Sequence, residues 1–352
     1  MKPILLAALL LAPLAAAPLS ARAETNIRVG WCARTVSSAA APFAIATKMG
    51  WFAKEGLKVD LAPLPGSTDC TKLVATGELQ YALPSIEPLV VLRNQGVKVK
   101  NFYTAYQGNI YGIAVPEGSP IKTLADLKGK RIGVTAMASA GVPVARALAA
   151  AQGLNPESDI RIVAVGEGGQ AAALLRQGAV DALSQYDTAY ALIEAAGAKL
   201  RLLDTSSIAK FPSNGLIARE DRLANNRAEA IAVARGYAMG TIFAMTNPQA
   251  AIHILWEVYP QTRGTGRAED VAMSEDTRTL NARAANWRLE AGGVSAWGEN
   301  SVANYDAYVD FLVKWNVVPA KVAGSDLVTN DLIAEINKMD IPAIVAAAKA
   351  AK

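Results

Sequence analysis

The segment from residue 121 to residue 134, IKTLADLKGKRIGV, constrains the fold of this chain more than any other stretch. Leu124 and Leu127 mark a short helical turn, and Gly129 then interrupts the helical pattern. From Ile132 onward the residues are apolar or small, as in a buried strand. This order predicts a helical turn that leads directly into a strand of a protein core.

Short apolar runs alternate with helical stretches along the chain. The strand candidates are residues 27–31, 57–61, 130–134, 160–165 and 180–183. Helix-like segments separate most of these runs, and such alternation is typical of α/β domains with largely parallel sheets. One helix is predicted to start at Pro143, because proline is well tolerated in a first helical turn, and to end before Gly153.

The amino terminus has the pattern of a secretory signal peptide. Lys2 precedes an apolar run at residues 4–19, and small residues follow at the positions that signal peptidase reads before a cut after Ala23. Two prolines interrupt the run, whereas a membrane span needs about 20 apolar residues in a row. We therefore predict a signal peptide at residues 1–23 and a mature periplasmic protein, with no cysteine at the cleavage point to carry a lipid.

The charge of the chain is small, which argues against one class of partner. The formal net charge is +4, and loss of the predicted signal peptide would remove Lys2 and Arg22 and leave +2. The longest basic block, residues 128–131, suits a solvated turn, whereas nucleic acid binding requires a concentrated basic face. Nucleic acid is therefore not an expected partner.

Six segments, taken in their order along the chain, resemble one protein family. The segments are Gly50–Leu61 (GWFAKEGLKVDL), Gly77–Leu79, the segment at 121–134, Gly178–Ala182, Phe211–Asn214 and Trp297–Val318. The family is that of the bilobal substrate-binding proteins of bacterial ABC importers, in the branch that includes sulfonate, nitrate and thiamine-pyrimidine (SsuA/THI5-like) proteins. The order and spacing of the segments cover nearly the whole chain after the predicted signal peptide.

The resemblance implies an α/β fold of the bilobal periplasmic binding protein type (type 2), with two α/β lobes joined by a hinge of two crossings. The implied first lobe is discontinuous, since residues 24–112 form its first part and residues 211–352 return to it and add carboxyl-terminal helices. Residues 113–210 form the implied second lobe. Such a protein closes on a small-molecule ligand and delivers it to the membrane permease of an ABC importer, and we expect it to be a monomer.

Ligands of open α/β sheets bind beyond the carboxyl ends of the strands, where helix amino termini present free N–H groups. In the implied fold this rule selects loops rich in small and hydroxyl-bearing residues. The candidate ligand-binding residues are Arg34, Ser37, Ser38, Ser67, Thr68 and Ser85 in the first lobe, and Ser139, Gly141, Gly168, Gln170, Tyr186 and Asp187 in the second. Helix capping and chain turning explain each residue equally well by itself. Because the loops share one sheet edge, the set as a whole favours a binding site.

The charges of these loops leave three ligand classes open, which are an anion, a zwitterion and an aminopyrimidine. Arg34 can pair with a sulfonate, nitrate or carboxylate through both arms of its guanidinium. The acidic residues of the same loops would repel an anion if they pointed inward, and they suit the amino group of a pyrimidine that stacks on Tyr186 or Trp31. We expect a small organic anion of the sulfonate, nitrate or carboxylate type, with a thiamine-type aminopyrimidine precursor as the alternative.

The two cysteines, Cys32 and Cys70, lie after the first and second strands of the implied fold. These strands are neighbours in the family, and the periplasm is oxidising, so we predict a disulfide between the two residues. Two free buried thiols are the alternative interpretation.

Catalysis has little support in the sequence. His253 is the only histidine and lies in the apolar helical stretch at 251–256, so a histidine-rich metal site is not expected. The G-x-S-x-G and P-loop patterns are absent. An enzyme family that makes the thiamine pyrimidine shares the implied fold, but it carries a clustered-cysteine iron motif and a catalytic histidine in its first lobe, which this chain lacks. We predict no catalytic residue, no metal and no cofactor, and a receptor for a signalling partner is a further alternative to an importer component.

Overall fold

The computed structural model of the protein describes residues 24–352, and the predicted signal peptide lies outside the described residues. Over this range the chain forms two sheets. The strands are β1 (Thr25–Trp31), β2 (Leu57–Pro63), β3 (Tyr81–Ala82), β4 (Val99–Thr104), β5 (Tyr111–Pro116), β6 (Lys130–Val134), β7 (Ile160–Ala164), β8 (Ala182–Tyr186), β9 (Leu200–Leu202) and β10 (Gly215–Arg219). The first lobe is built on β1 to β4 with β10, and the second lobe is built on β5 to β9.

Helices connect and cover the strands. The α-helices are α1 (Ala41–Lys48), α2 (Trp51–Lys54), α3 (Ser67–Thr76), α4 (Glu87–Asn94), α5 (Gly141–Ala151), α6 (Gly168–Arg176), α7 (Asp187–Ala195), α8 (Glu220–Asn225), α9 (Arg227–Thr246), α10 (Pro248–Val258), α11 (Glu269–Trp287), α12 (Leu289–Gly292), α13 (Val302–Lys314), α14 (Gly324–Leu327), α15 (Ile333–Ile336) and α16 (Ile341–Ala350). Short 3-10 helices lie at Ser38–Ala40, Leu124–Leu127, Ser206–Ile208 and Pro260–Arg263. Among the helices of residues 24–352, none combines the length and apolar character that a membrane crossing requires.

The two sheets have equivalent strand orders, β2-β1-β3-β10-β4 and β7-β6-β8-β5-β9. In the first sheet β1 pairs in parallel with β2 and β3, whereas β10 is antiparallel to β3 and β4. The second sheet repeats this arrangement with β5 as the antiparallel strand. Both sheets are therefore mixed, where the sequence favoured largely parallel ones. The reason is that β5 and β10 are each the first strand after a crossing between lobes, and each enters its sheet from the edge at which the parallel strands end.

The chain crosses between the lobes at residues 105–110 and again at residues 203–214. The first crossing joins β4 to β5, and the second joins β9 to β10. The predicted boundary between residues 112 and 113 falls inside β5, which begins at Tyr111, so the second lobe starts two residues earlier than expected. The predicted return at residue 211 falls within the second crossing.

The segment at 121–134 folds as its sequence predicts. The helical turn Leu124–Leu127 buries both of its leucines, and Thr123 and Asp126 form a capping box at its start. Strand β6 follows directly after Gly129, whose φ of +74° is a left-handed conformation that glycine adopts without strain.

One helix and one strand each begin two residues away from their predicted first residue. Helix α5 begins at Gly141 rather than at Pro143, because the Ser139 hydroxyl accepts a hydrogen bond from the Gly141 N–H at 3.0 Å and supports an earlier first turn. The strand expected at 180–183 is β8, which begins two residues later. Asp181 precedes it because its carboxylate accepts hydrogen bonds from the neighbouring strand β6.

Helix α11 packs against both lobes. It packs on α10 and on the 3-10 helix Ser38–Ala40 of the first lobe, and it also packs along α7 of the second lobe. Helix α7 begins at Asp187, directly after the end of β8. The interface between α7 and α11 therefore lies beside the gap between the two sheets.

Candidate functional site

A cavity that opens to solvent lies between the edges of the two sheets, and we call it the cleft cavity; its empty space is about 360 Å³ with the solvent at its mouth included. Its walls come from the ends of β1 and β8, the start of β5, both crossings, and helices α7 and α11. The lining residues are Trp31, Cys32, Ala33, Ser37, Leu83, Tyr106, Ile110, Tyr111, Tyr186, Thr188, Asn214 and Arg283. This position agrees with the rule that ligands of α/β sheets bind where parallel strands end.

Four aromatic side chains line the cleft cavity. Tyr111 and Tyr186 come from the second lobe, where they are paired across the antiparallel strands β5 and β8. Their rings meet edge to face with 6.1 Å between centroids. Trp31 ends β1, and its indole N–H donates to the Thr35 carbonyl oxygen at 2.9 Å, while Tyr106 lies in the first crossing. Together these rings offer flat apolar surfaces on which a planar molecule can stack.

Arg283 of α11 brings a positive charge to the cavity wall. Its buried guanidinium faces Asp187 at the start of α7, with 2.6 Å from Nη2 to Oδ1 and 2.9 Å from Nε to Oδ2. The guanidinium lies over the Tyr106 ring at 4.1 Å from the centroid, and Asn286 donates to the Asp187 carboxylate at 3.0 Å. Burial lowers the pKa of Arg283, but the Asp187 carboxylate and the Tyr106 and Tyr237 phenols together outweigh burial and raise that pKa above its ordinary value. The negative charge of Asp187 in the second lobe therefore neutralises the positive charge that Arg283 brings from α11.

The lobes also touch at a second place, next to the start of α3. The Thr68 backbone N–H donates to the Ala138 carbonyl oxygen at 3.2 Å. Gly66 approaches the same loop so closely that a Cβ atom on it would lie 2.4 Å from the Ala138 oxygen. Since the lobes meet here as well as between α7 and α11, the structure describes a closed arrangement of the lobes.

The tyrosine hydroxyls of the second lobe are neutral hydrogen-bonding groups. The Tyr186 hydroxyl donates to Oε1 of Glu167, in the loop before α6, at 2.9 Å. Burial raises the pKa of the Tyr111 and Tyr186 phenols, and the nearby charge of Glu167 raises that of Tyr186 further. Near neutral pH the lining of the cleft cavity therefore contains no ionised phenol.

The structure places the predicted site residues unevenly. Ser37 and Tyr186 line the cleft cavity, and Asp187 reaches it through its ion pair with Arg283. Gln170 is exposed, and Gly168 begins α6 with a φ of +52°. Contact of any of these residues with a ligand remains a prediction.

The other candidates in the small loops are buried or half-buried and make contacts within the protein. They are Ser38, Ser67, Thr68, Ser85, Ser139 and Gly141. For example, the Ser67 hydroxyl accepts a hydrogen bond from the Ser85 N–H at 3.0 Å, and the Ser184 hydroxyl donates to the Gly141 carbonyl at 2.8 Å. Helices α3 and α5 have no side-chain hydrogen bond at their first cap, and contact of these six residues with a ligand stays a prediction.

Arg34 does not reach the cleft cavity, although it follows β1 as expected. Its side chain is exposed, whereas its neighbours Cys32 and Ala33 line the cavity. The loop turns here so that the Thr35 carbonyl accepts from the Trp31 indole, and the indole rather than the guanidinium faces inward. Arg283, and not Arg34, is therefore the cation that lines the cleft cavity, and contact of Arg34 with a ligand stays a prediction.

Sequence reasoning missed several lining residues. Tyr106, Tyr111 and Asn214 lie in or beside the two crossings, so the predicted crossings were a signal that could have found them. Arg283 has no comparable signal, because it lies 96 residues after Asp187 in a helix that is polar along much of its length. Only the packing of α11 across α7 brings it to the site.

Cys32 and Cys70 are joined by a disulfide, with 2.07 Å between the sulfur atoms and 5.9 Å between the Cα atoms. The bond links the loop after β1, which lines the cleft cavity, to α3. It therefore ties one wall of the cavity to the helix that begins beside the second contact between the lobes.

His253 lies in α10, apart from the residues that line the cleft cavity. Its ring packs edge to face against Trp256, with 5.6 Å between centroids. Within residues 24–352, no group of three or more His, Cys, Asp and Glu side chains is arranged to hold a metal ion.

The family described as NMT1/THI5 like matches residues 37–251 of this chain. The match is longer than half of the chain. It includes the whole second lobe, both crossings and β10, and thus all of the cavity wall except the end of β1, the start of the following loop and Arg283.

Two individual relatives are similar to only part of the chain. The chain is 22% identical over 226 residues to the riboflavin-binding protein RibY of Chloroflexus aurantiacus, and this match covers 63% of the chain and 64% of RibY. It is 31% identical over 93 residues to a 4-amino-5-hydroxymethyl-2-methylpyrimidine phosphate synthase of Uromyces fabae, which covers 26% of the chain and 27% of the synthase. The chain therefore spans less than two thirds of the length of these relatives.

A solved structure shares the fold over nearly its full length. The alkanesulfonate-binding protein SsuA of Xanthomonas axonopodis pv. citri, bound to MOPS, superposes with a TM-score of 0.65 at 17% identity. The superposition covers 87% of this chain and 99% of SsuA. The bilobal fold of a periplasmic binding protein is therefore common to both.

Proposed function

Because the chain belongs to the NMT1/THI5-like family, we propose that it is the solute-binding component of an ABC importer. Its lobes close on a small molecule in the cleft cavity, and a hinge at the two crossings opens them again. It acts in the periplasm as a monomer and hands the molecule to a membrane permease.

The position of the cleft cavity between two contacting lobes carries this proposal. Both sheet edges contribute to its walls, and Arg283 of one lobe pairs with Asp187 of the other at 2.6 Å. A molecule bound here contacts both lobes only when they are closed. It therefore binds the closed arrangement more tightly than the open one and shifts the equilibrium toward closure. Capture and release then require a hinge motion and no covalent chemistry.

The walls favour a flat ring of low net charge, such as an aminopyrimidine. The aromatic rings supply stacking surfaces. Arg283 already has a carboxylate partner, so a bound anion would add an excess negative charge to a buried pair, which is costly. The exposed position of Arg34 also removes the main argument for an anion. The aminopyrimidine, which was the alternative from the sequence, is therefore our first candidate.

A small organic anion is a second candidate, favoured by the presence of Arg283 in the cavity wall. A sulfonate or carboxylate can bind one arm of the guanidinium while Asp187 keeps the other, since a guanidinium offers five N–H donors. The shared fold with an alkanesulfonate-binding protein supports this class.

We expect binding without turnover. The synthase activity of the Uromyces fabae relative is not carried over, because that match spans 26% of this chain. Mass spectrometry should recover an aminopyrimidine unchanged after incubation with the purified protein, and a new product would contradict the proposal.

A ligand screen followed by small-angle scattering tests the proposed function. The screen compares 4-amino-5-hydroxymethyl-2-methylpyrimidine with alkanesulfonates, nitrate and small carboxylates. A true ligand at 100 times its Kd should add about 2.7 kcal/mol to the free energy of unfolding. It should also reduce the radius of gyration of the protein. A tight ligand that leaves the scattering unchanged would exclude hinge closure, and a screen without hits would exclude both ligand classes.

Substitution of Trp31 separates the two ligand classes. Trp31→Ala should weaken binding of an aminopyrimidine by about 1 kcal/mol or more, because a stacking surface is lost. The matched control Trp31→Phe keeps a ring and should retain most of the affinity. An anion held by Arg283 should respond little to either change, so equal losses for both classes would remove stacking as the basis of selectivity.

A further inference from the structure

The loop at residues 32–37 follows β1 and forms one wall of the cleft cavity, and we call it the β1 loop. It contributes a quarter of the residues that line the cavity, namely Cys32, Ala33 and Ser37. A solute in the cleft cavity therefore meets this loop, and the position of the loop affects how well the solute fits.

Hydrogen bonds do little to hold the β1 loop in place. Within residues 24–352, its backbone takes part in two of them, and both are local. The Thr35 carbonyl accepts from the Trp31 indole, and the Ser37 carbonyl accepts from the Ala40 N–H, each at 2.9 Å. Because the partners are at most four residues apart in the sequence, neither bond fixes the loop to a distant part of the chain.

The disulfide between Cys32 and Cys70 supplies such an anchor. It joins the β1 loop to α3, in which Cys70 lies 38 residues further along the chain. The loop is otherwise held by the packing of Ala33 and Val36, which are buried. One wall of the cleft cavity thus depends for its position on a bond that thiols can open and reform.

The two ends of this disulfide differ in accessibility. Cys70 is completely buried, and its sulfur lies 3.2 Å from the position that a Cβ atom on Gly30 would take. Cys32 is half-buried and lines the cleft cavity, which opens to solvent. Cys32 is therefore the end at which a reagent in the cleft can attack.

We propose that the disulfide is a reversible switch of the cleft cavity, which binds its solute tightly when Cys32 and Cys70 are joined and weakly after a dithiol has reduced them. This inference rests on the proposed function, because it assigns a control to the same site. It adds a chemical class of partner, a dithiol reductant, to the solute and the permease.

The reduction proceeds by thiol–disulfide exchange. One thiolate of the dithiol attacks the Cys32 sulfur, the bond between the two cysteines breaks, and Cys70 leaves with the electron pair and takes up a proton. The second thiol of the reductant then displaces Cys32 from the mixed disulfide. Two electrons and two protons reach the protein, and the reductant becomes a disulfide.

Reduction should weaken binding because it removes preorganisation. With the disulfide in place, the β1 loop is ordered before the solute arrives. Without it, the solute must order the loop at the expense of its own binding free energy. The coupling is reciprocal, so a solute that prefers the oxidised protein about tenfold should also lower the reduction potential of the disulfide by about 30 mV.

Amide hydrogen exchange measured by mass spectrometry tests the switch without any ligand. Dithiothreitol should raise exchange at residues 32–37 and leave β6 of the second lobe protected. In Cys32→Ala/Cys70→Ala, the loop should exchange rapidly from the start, and dithiothreitol should change nothing. Loop exchange that is equal before and after reduction would overturn the proposal. Exchange that rises equally in β6 would overturn it as well, because the bond would then hold the whole fold and not the loop.

Calorimetry of the oxidised protein, the reduced protein and the double variant measures the effect on binding. The probes are 4-amino-5-hydroxymethyl-2-methylpyrimidine and ethanesulfonate. Whichever probe the oxidised protein binds should bind the other two forms at least about tenfold more weakly. Equal affinities would refute the switch and leave the proposed function intact. If the oxidised protein binds neither probe, the proposed ligand classes fail, and the exchange experiment still decides whether the disulfide orders the loop.

Discussion

The two places where the lobes meet differ in the groups that make the contact. Between α7 and α11, the charged side chains of Asp187 and Arg283 meet at 2.6 Å beside the cleft cavity. Near the start of α3, the Thr68 N–H donates to the Ala138 carbonyl, and Gly66 leaves no space for a side chain. The first contact can respond to a bound charge, whereas the second fixes how closely the two backbones approach.

This difference separates two contributions to closure. When the lobes part, water can reach both Asp187 and Arg283, so the ion pair changes the balance between open and closed lobes more than it changes folding. The backbone contact has no charge to hydrate and acts through one hydrogen bond and the close fit at Gly66. Substitutions at the two contacts should therefore have different effects on ligand affinity, stability and the dimensions of the protein.

Among the substitutions that test this difference, Arg283→Met should have the largest effect on ligand affinity. It leaves the Asp187 carboxylate without a partner in the closed arrangement, and breaking a buried pair costs about 3 to 5 kcal/mol. We expect most of this cost to appear as lost ligand affinity and a larger radius of gyration, measured by calorimetry and small-angle scattering. The double variant Arg283→Met/Asp187→Leu removes both charges and should recover part of the affinity. An unchanged affinity in the single variant would exclude a role of the pair in closure.

Loss of the disulfide should have the next largest effect. The bond joins residues 38 positions apart, and closing a loop of this length contributes about 2 to 4 kcal/mol to the free energy of unfolding. Denaturation of Cys32→Ala/Cys70→Ala should show this loss, and reduction of the unmodified protein should reproduce it. Thiol titration in denaturant is the control, since two reactive thiols without reductant would rule the bond out.

Gly66→Ala should weaken ligand binding by a smaller amount. The added Cβ atom would lie 2.4 Å from the Ala138 oxygen, and overpacking of this kind costs about 1 to 3 kcal/mol. The free energy of unfolding should change less, because Gly66 has a φ of 171°, an extended conformation open to alanine. Gly118→Ala, where nothing lies within 4 Å of the added atom, is the matched control. If both variants bind alike, the close backbone contact does not limit closure.

Arg34→Ala should have the smallest effect. Its side chain is exposed and lies outside the cleft cavity, and surface substitutions usually change stability by less than about 0.5 kcal/mol. Ligand affinity by calorimetry should be unchanged within error. A large loss would return Arg34 to the binding site and would favour an anionic ligand.

The parallel part of each sheet could be predicted from the sequence. Strands β1, β2, β6 and β7 are short apolar runs bounded by turn residues, and such runs carry a local signal. Strands β3 and β9 have two and three residues, which is too short for a pattern. The antiparallel direction of β5 and β10 depends on the crossings between lobes, so no local pattern contains it.

The site was predictable where it depends on the ends of strands. Tyr186 and Asp187 follow directly from the end of β8, and Ser37 follows from the loop after β1. The direction of a side chain within such a loop does not follow from its position in the sequence, which explains why Arg34 lies outside the cleft cavity. Arg283 comes from a helix that packs across the lobes, and a single sequence carries no signal for that contact.

The place of β10 in the first sheet bears on how the chain is made. It lies between β3 and β4, but it follows the whole second lobe in the sequence. When the chain emerges amino terminus first, from the ribosome or from an export channel, β1 to β4 appear before β10, which pairs with both β3 and β4, whereas β5 to β9, at residues 111–202, appear as an uninterrupted set. The middle of the chain can therefore complete its sheet before the beginning can. Until residue 219 is added, a nascent chain exposes unpaired edges on β3 and β4, which are the kind of surface that chaperones protect from aggregation.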